Sequence, residues 1–180
     1  SPEPRPDSDM FAHVWSSTPI GVDALPVEVE VHVRNGLSKL FVVGLPDGAV
    51  RESHNRVFSA LKTSGLPSPR GIVTINLAPA DIRKEGAAFD LPIAMGMINA
   101  VSGCFHRAVL DSFYIVGELA LDGAVRPVRG VLPMALRARK EGKSAVIVPA
   151  DNAAEAAVVD GIDVYPVSHL LDAFSLLSYP

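Results

Sequence analysis

The stretch I-V-T-I-N-L-A-P-A-D-I-R-K-E-G-A-A-F-D-L-P-I-A, residues 72–94, holds three kinds of pattern in sequence. Ile72 to Leu77 is a short apolar, β-branched run and predicts a buried strand. Ala78 to Ala88 is polar and carries Asp81, Arg83, Lys84 and Glu85. It predicts a loop, and loops at strand ends often carry function. From Phe89 to Val101 the chain is apolar and predicts a helix, with Pro92 admissible only in its first turn. Strand, charged loop and helix in this order place a cluster of charges at the end of a core strand.

Working outward, Val27 to Val33 reads V-E-V-E-V-H-V. Strict alternation predicts a strand with the valines on one face and Glu28, Glu30 and His32 on the other, facing solvent. Short strands are also expected at 11–16, 40–43, 114–119, 145–148 and 164–165. Helices are expected at 48–64, with Asp47 as its cap, at 132–141, from 151 or 152 to 159, and at 169–177, with Ser168 as its cap. Asp122-Gly123 predicts a hairpin turn, with 124–126 returning. A run of strands followed by alternating helices and strands predicts an α/β or α+β domain, a mixed sheet packed with helices.

Composition limits the function classes. The chain has 180 residues, enough for one domain, and a hydrophobic fraction of 48%. Its net charge of −4 gives no case for a general grip on nucleic acid, although local basic clusters could act. The single cysteine, Cys104, excludes an internal disulfide and suits a reducing, cytoplasmic setting. It is expected to be a small buried side chain rather than a nucleophile. No apolar run reaches the ~20 residues of a membrane-spanning helix. Residues 1–9, S-P-E-P-R-P-D-S-D, read as an appended or disordered extension, with Met10 as a natural start; a native linker cut by processing is the alternative. No phosphate loop, G-x-S-x-G elbow, H-E-x-x-H or paired-cysteine spacing is present, so neither an ATP site nor a metal site is expected. A second cluster, Glu118 with Arg126 and Arg129, could form ion pairs or grip a phosphate or partner carboxylate.

Taken together, 42–47 (V-V-G-L-P-D), 76–86 (N-L-A-P-A-D-I-R-K-E-G), 89–94 (F-D-L-P-I-A), 117–123 (G-E-L-A-L-D-G), 126–133 (R-P-V-R-G-V-L-P) and 147–157 (I-V-P-A-D-N-A-A-E-A-A) resemble the N-terminal domain of the ComM/YifB, magnesium-chelatase-like AAA+ family. The resemblance spans about residues 10–177. It implies a Lon-protease-like fold over 10–180, akin to the second domain of a small-subunit ribosomal protein. It also implies a following AAA+ motor domain that binds ATP and Mg, and a hexameric ring that drives DNA branch migration in natural transformation. The implied partners are the chain's own motor domain, ring neighbours and DNA, with no membrane and no cofactor in this domain.

Aligned on the Lon peptidase pattern, Gly86 to Asp90 falls on the serine segment and puts Ala88 at the nucleophile. Gly117 to Gly123 matches the following hairpin without a gap, and counting on puts Leu132 at the lysine base. Alanine offers no attacking oxygen and leucine no proton acceptor, so the resemblance implies a lost dyad. The expected role is then a non-catalytic contact module, with Asp81, Arg83, Lys84, Glu85, Asp90, Glu118, Arg126 and Arg129 as candidate contact residues. A Ser–Lys peptidase in a shifted register and a small-molecule or nucleotide binding domain are the alternatives.

Overall fold

The computed structural model describes residues 10–178, so the reading of residues 1–9 lies outside it. Two long strands open the chain, β1 (Met10–Ile20) and β2 (Asp23–Arg34), antiparallel and in register from Met10 opposite Val33 to Ile20 opposite Asp23. Next come β3 (Lys39–Val43), helix α1 (Asp47–Thr63) and β4 (Ile72–Ala78). The order β1-β2-β4-β3 completes a four-stranded mixed sheet, with β3 parallel to β4. A 3₁₀ turn at Gly86–Phe89 leads into α2 (Asp90–Ser102), followed by the short α3 (Arg107–Asp111).

The second half holds β5 (Phe113–Ile115), the two-residue strands β6 (Glu118–Leu119) and β7 (Val125–Arg126), α4 (Val131–Lys140), β8 (Ala145–Pro149), α5 (Ala153–Ala156), β9 (Asp163–Val167) and α6 (Leu170–Ser178). Strands β5-β8-β9 form a parallel sheet, and β6 and β7 form a hairpin. The domain is mixed α/β, as the patterning predicted. Among the described residues no helix is long and apolar enough to cross a membrane.

The alternation in β2 decides which face is core. Val27, Val29, Val31 and Val33 are buried, as are Val73, Ile75 and Leu77 beside them on β4. Helix α2 covers this face with Leu91, Ile93, Met95, Met97 and Ile98 in one apolar cluster. Each such side chain contributes about 1.5–3 kcal/mol over its exposed state. A second cluster, with Met134, Ala135, Val146 and Val148, lies between α4 and the parallel sheet. All five residues of β8 are buried, as expected for a parallel strand covered on both faces.

Gly96 lets α2 approach the sheet. A Cβ there would lie 2.7 Å from Val31 Cγ2. Alanine is the better helix former by about 1 kcal/mol, yet Gly96→Ala is expected to destabilise the fold by about 1–3 kcal/mol through overpacking. Denaturant melts will check this; a stabilised variant would show that the contact yields easily.

Several expectations need correction. Residues 11–16 extend to an eleven-residue strand because β2 pairs with them along their whole length. Asp47 is the first residue of α1 rather than its cap; Pro46 occupies the cap position without a side-chain bond, and Asp47 serves only as a favourable charge in the first turn. Ser168 does not cap α6, since the His169 ring accepts from Leu171 N–H at 3.1 Å and Asp172 accepts from the 168 and 169 amides. Cys104 is exposed, because it follows the left-handed Gly103 that ends α2 and turns the chain outward. Glu28, Glu30 and His32 are half-buried, crowded by neighbours on the outer sheet face rather than fully solvated.

Residues 114–119 do not form one strand, and the break positions the candidate site. Val116 N–H still reaches across to Ile147 O, but Gly117 N–H donates to Ala88 O and Gly117 O accepts from Leu91 N–H. The chain leaves the parallel sheet to bond the turn that starts α2. Glycine lets these segments come this close, since a Cβ would lie 2.9 Å from Val125 and 3.2 Å from Leu91 and would push them aside.

Candidate functional site

Because Gly117 is bonded to the turn at Ala88, the β6–β7 hairpin lies against the start of α2. A recess of about 360 Å³ opens there, lined by Glu85, Ala87, Ala88, Glu118, Pro127, Val128 and Arg129. Beside it lies a groove of about 710 Å³ between the β1–β2 turn, the charged loop and the start of α4. Arg83, Glu85 and Arg129 are its charged lining, with Thr18, Ile82 and Pro133 among its walls. Glu85 and Arg129 line both spaces, and they form an ion pair with each other. Asn152 holds the Arg129 segment in place: its Oδ1 accepts from Val128 N–H and its Nδ2 donates to Val128 O, both at 2.9 Å.

The candidate residues therefore divide. Arg83, Glu85, Glu118 and Arg129 converge on the groove and its recess. Asp81 and Arg126 are exposed but outside both linings, Arg126 standing opposite Glu118 in the hairpin. Ala88 faces the recess, whereas Leu132 packs against the smaller core cluster that also takes Trp15 and Val128.

Lys84 and Asp90 are not surface contacts. Lys84 is 7% exposed, and its Nζ donates to Ile82 O at 3.0 Å. Burial lowers its pKa, with Asp81 opposing. It braces the loop from inside, which its place in a charged run hid. Asp90 is fully buried and accepts from Arg56 Nε at 2.6 Å and Nη2 at 3.2 Å, and from Leu119 N–H at 3.1 Å. It ties α1, the start of α2 and β6 together behind the recess. Arg56, 34 residues upstream, is the site-supporting residue that sequence reasoning missed.

Burial pushes the Asp90 carboxyl up to about 6, against the lowering pull of Arg56 and the Leu119 amide. Asp90 in turn holds Arg56 firmly charged. The pair is thus ionised at neutral pH, at a desolvation cost. A carboxyl raised from its ordinary 3.8 to about 6 holds its proton more firmly in the folded state. Its contribution to stability is present below the lower value and is lost as pH rises through the higher one. Relative to Asp90→Asn, wild-type stability is expected to fall by up to ~1.4 kcal/mol per pH unit across this window and to level off above it. Denaturation of both proteins at several pH values checks this; a rising difference would mean that Arg56 outweighs burial.

A family profile described as subunit ChlI of Mg-chelatase matches residues 29–152. The chain belongs to the magnesium-chelatase ChlI family. Within it, the YifB protein of Salmonella typhimurium is 42% identical over 160 residues, 89% of this chain and 31% of its own length. Competence protein ComM of Haemophilus influenzae is 42% identical over 168 residues, 93% of this chain and 33% of its own. This ChlI-family chain thus spans about a third of the length of these relatives. Lon protease 1 of Bacillus subtilis is also similar, 28% identical over 165 residues, 85% of this chain and 21% of its own length.

Proposed function

We propose that this chain is a non-catalytic, Lon-like N-terminal module of a ComM/YifB-type AAA+ ATPase, and that its groove docks it against the motor domain and ring neighbours. Ring assembly or DNA engagement would depend on that contact, with DNA branch migration in natural transformation as the activity of the whole cytoplasmic protein. ATP and Mg would be held by the motor domain that the resemblance implies, outside this chain.

One observation carries the non-catalytic reading. Ala88, which the resemblance to Lon puts at the nucleophile position, lines the recess and offers it only a methyl group. The charged residues around it point to recognition: Arg83, Glu85 and Arg129 present both signs of charge on the exposed rim. Among the described residues no serine Oγ is hydrogen-bonded to a lysine Nζ; Lys84 and Lys143 donate to the carbonyls of Ile82 and Asp111. A dyad needs that contact, or a close approach to it, for the amine to take the hydroxyl proton.

Incubating the chain with an unstructured protein substrate and a serine-reactive phosphonate is expected to give neither cleavage nor labelling. Cleavage abolished by a single Ser→Ala substitution would establish a displaced dyad and overturn the non-catalytic reading.

A further inference from the structure

On the outer face of the four-stranded sheet, away from the groove, the β1–β2 register sets His13 directly opposite Glu30, and Glu28 two residues along on the same face. The inward neighbours Val14, Val29 and Val31 are buried, which fixes these three side chains on the other side. The imidazole nitrogen and one oxygen of each carboxylate all lie within 4.8 Å of one another. We infer that His13, Glu28 and Glu30 form a site for a divalent transition-metal ion, of which Zn²⁺ is the best match.

The donor set selects the ion. One nitrogen and two carboxylate oxygens suit zinc, with water or a partner ligand completing a tetrahedron. Calcium prefers 6–8 oxygens, and magnesium an octahedron rich in water. Zinc bonds of about 2.0–2.2 Å place tetrahedral ligand atoms about 3.4 Å apart. The ligand atoms already lie within 4.8 Å of one another, within about an ångström and a half of that spacing.

The surroundings favour occupation. Glu28 and Glu30 are like charges two residues apart on one sheet face, and a bound cation would offset both. His13 Nδ1 lies 2.8 Å from Glu28 Oε1, and zinc would replace that contact by bonding both atoms. Asn76 on β4 donates to Glu30 Oε1 at 3.0 Å, an outer hydrogen bond that fixes the carboxylate's orientation. All three ligands are half-buried, so water competes for them less than at an open surface. The ion would clip the two longest strands together.

Titration of the metal-free chain with Zn²⁺, and with Co²⁺ to read visible ligand-field absorption, tests this. One equivalent is expected to bind with nitrogen and oxygen ligands. His13→Asn, Glu28→Gln and Glu30→Gln should each weaken binding at least ~10-fold, about 1.4 kcal/mol, while His106→Asn leaves it unchanged. Glu28→Gln keeps an acceptor for His13 and Glu30→Gln one for Asn76, so both variants should fold; melting without metal verifies this. Zinc at about a hundred times its Kd should raise the wild-type Tm by roughly 5 °C or more and leave the double variant His13→Asn/Glu30→Gln unmoved. No binding at millimolar metal, or equal affinity in His13→Asn, would overturn the site.

Discussion

Replacing Arg56 with alanine is expected to destabilise the domain by about 3–5 kcal/mol, a large share of the roughly 5–15 kcal/mol that holds a typical domain together. The reason is the imbalance between the partners. The Arg56 side chain is 18% exposed, so its own loss exposes little. Asp90 is fully buried and would keep only the Leu119 amide and a 3.4 Å contact from Ser53. A carboxylate cannot stay ionised in that setting at ordinary cost, and taking up a proton at neutral pH has a cost of its own. Arg56→Lys should fall between, because one ammonium cannot reproduce the two-nitrogen contact. The loss should also loosen the β6–β7 hairpin, whose Leu119 amide bonds Asp90, and with it the wall of the recess. Urea melts check the first effect and amide exchange at residues 118–126 the second. A loss below about 1 kcal/mol would mean that Asp90 finds another partner or water.

Much of the fold was legible because the signals were local. The valines of 27–33 announced their buried face through period two, and the strand–loop–helix run of 72–94 lies where its pattern predicted. What stayed hidden was set by contacts between distant residues. No local rule shows that Gly117 bonds the turn at Ala88, so the break between β5 and β6 could not be read. Asp90 at a helix start beside a charged loop reads as a surface acid until Arg56 is seen against it. Lys84 reads as solvated among its charged neighbours, although its chain is folded inward. His13, Glu28 and Glu30 share no ligand-spacing motif; the strand register alone brings them together, and the hairpin alignment of 10–20 with 23–34 was the signal that would have found them. The groove residues Arg83, Glu85 and Arg129 were recognisable by charge, while their convergence depends on the loop, the β1–β2 turn and α4 meeting in space.

Reversing the groove's charge, Arg83→Glu with Arg129→Glu, is expected to weaken ring assembly of the full-length protein at least ~10-fold, about 1.4 kcal/mol in all, without unfolding the domain. Both side chains are exposed and have no part in either core cluster. Arg129 also pairs with Glu85, so its reversal alone would set two acids side by side. The exchange Glu85→Arg with Arg129→Glu removes that ambiguity, since it rebuilds the internal pair with its polarity inverted. If the pair only ties the loop to the segment before α4, the exchanged protein should assemble normally. If the groove meets a partner whose charges complement it, the inverted pattern should fail although the loop is held. The deciding measurement is sedimentation of the full-length exchanged protein with ATP. The docking account expects it to remain in small species at concentrations where the wild type forms rings; rings of wild-type size and stability would contradict it.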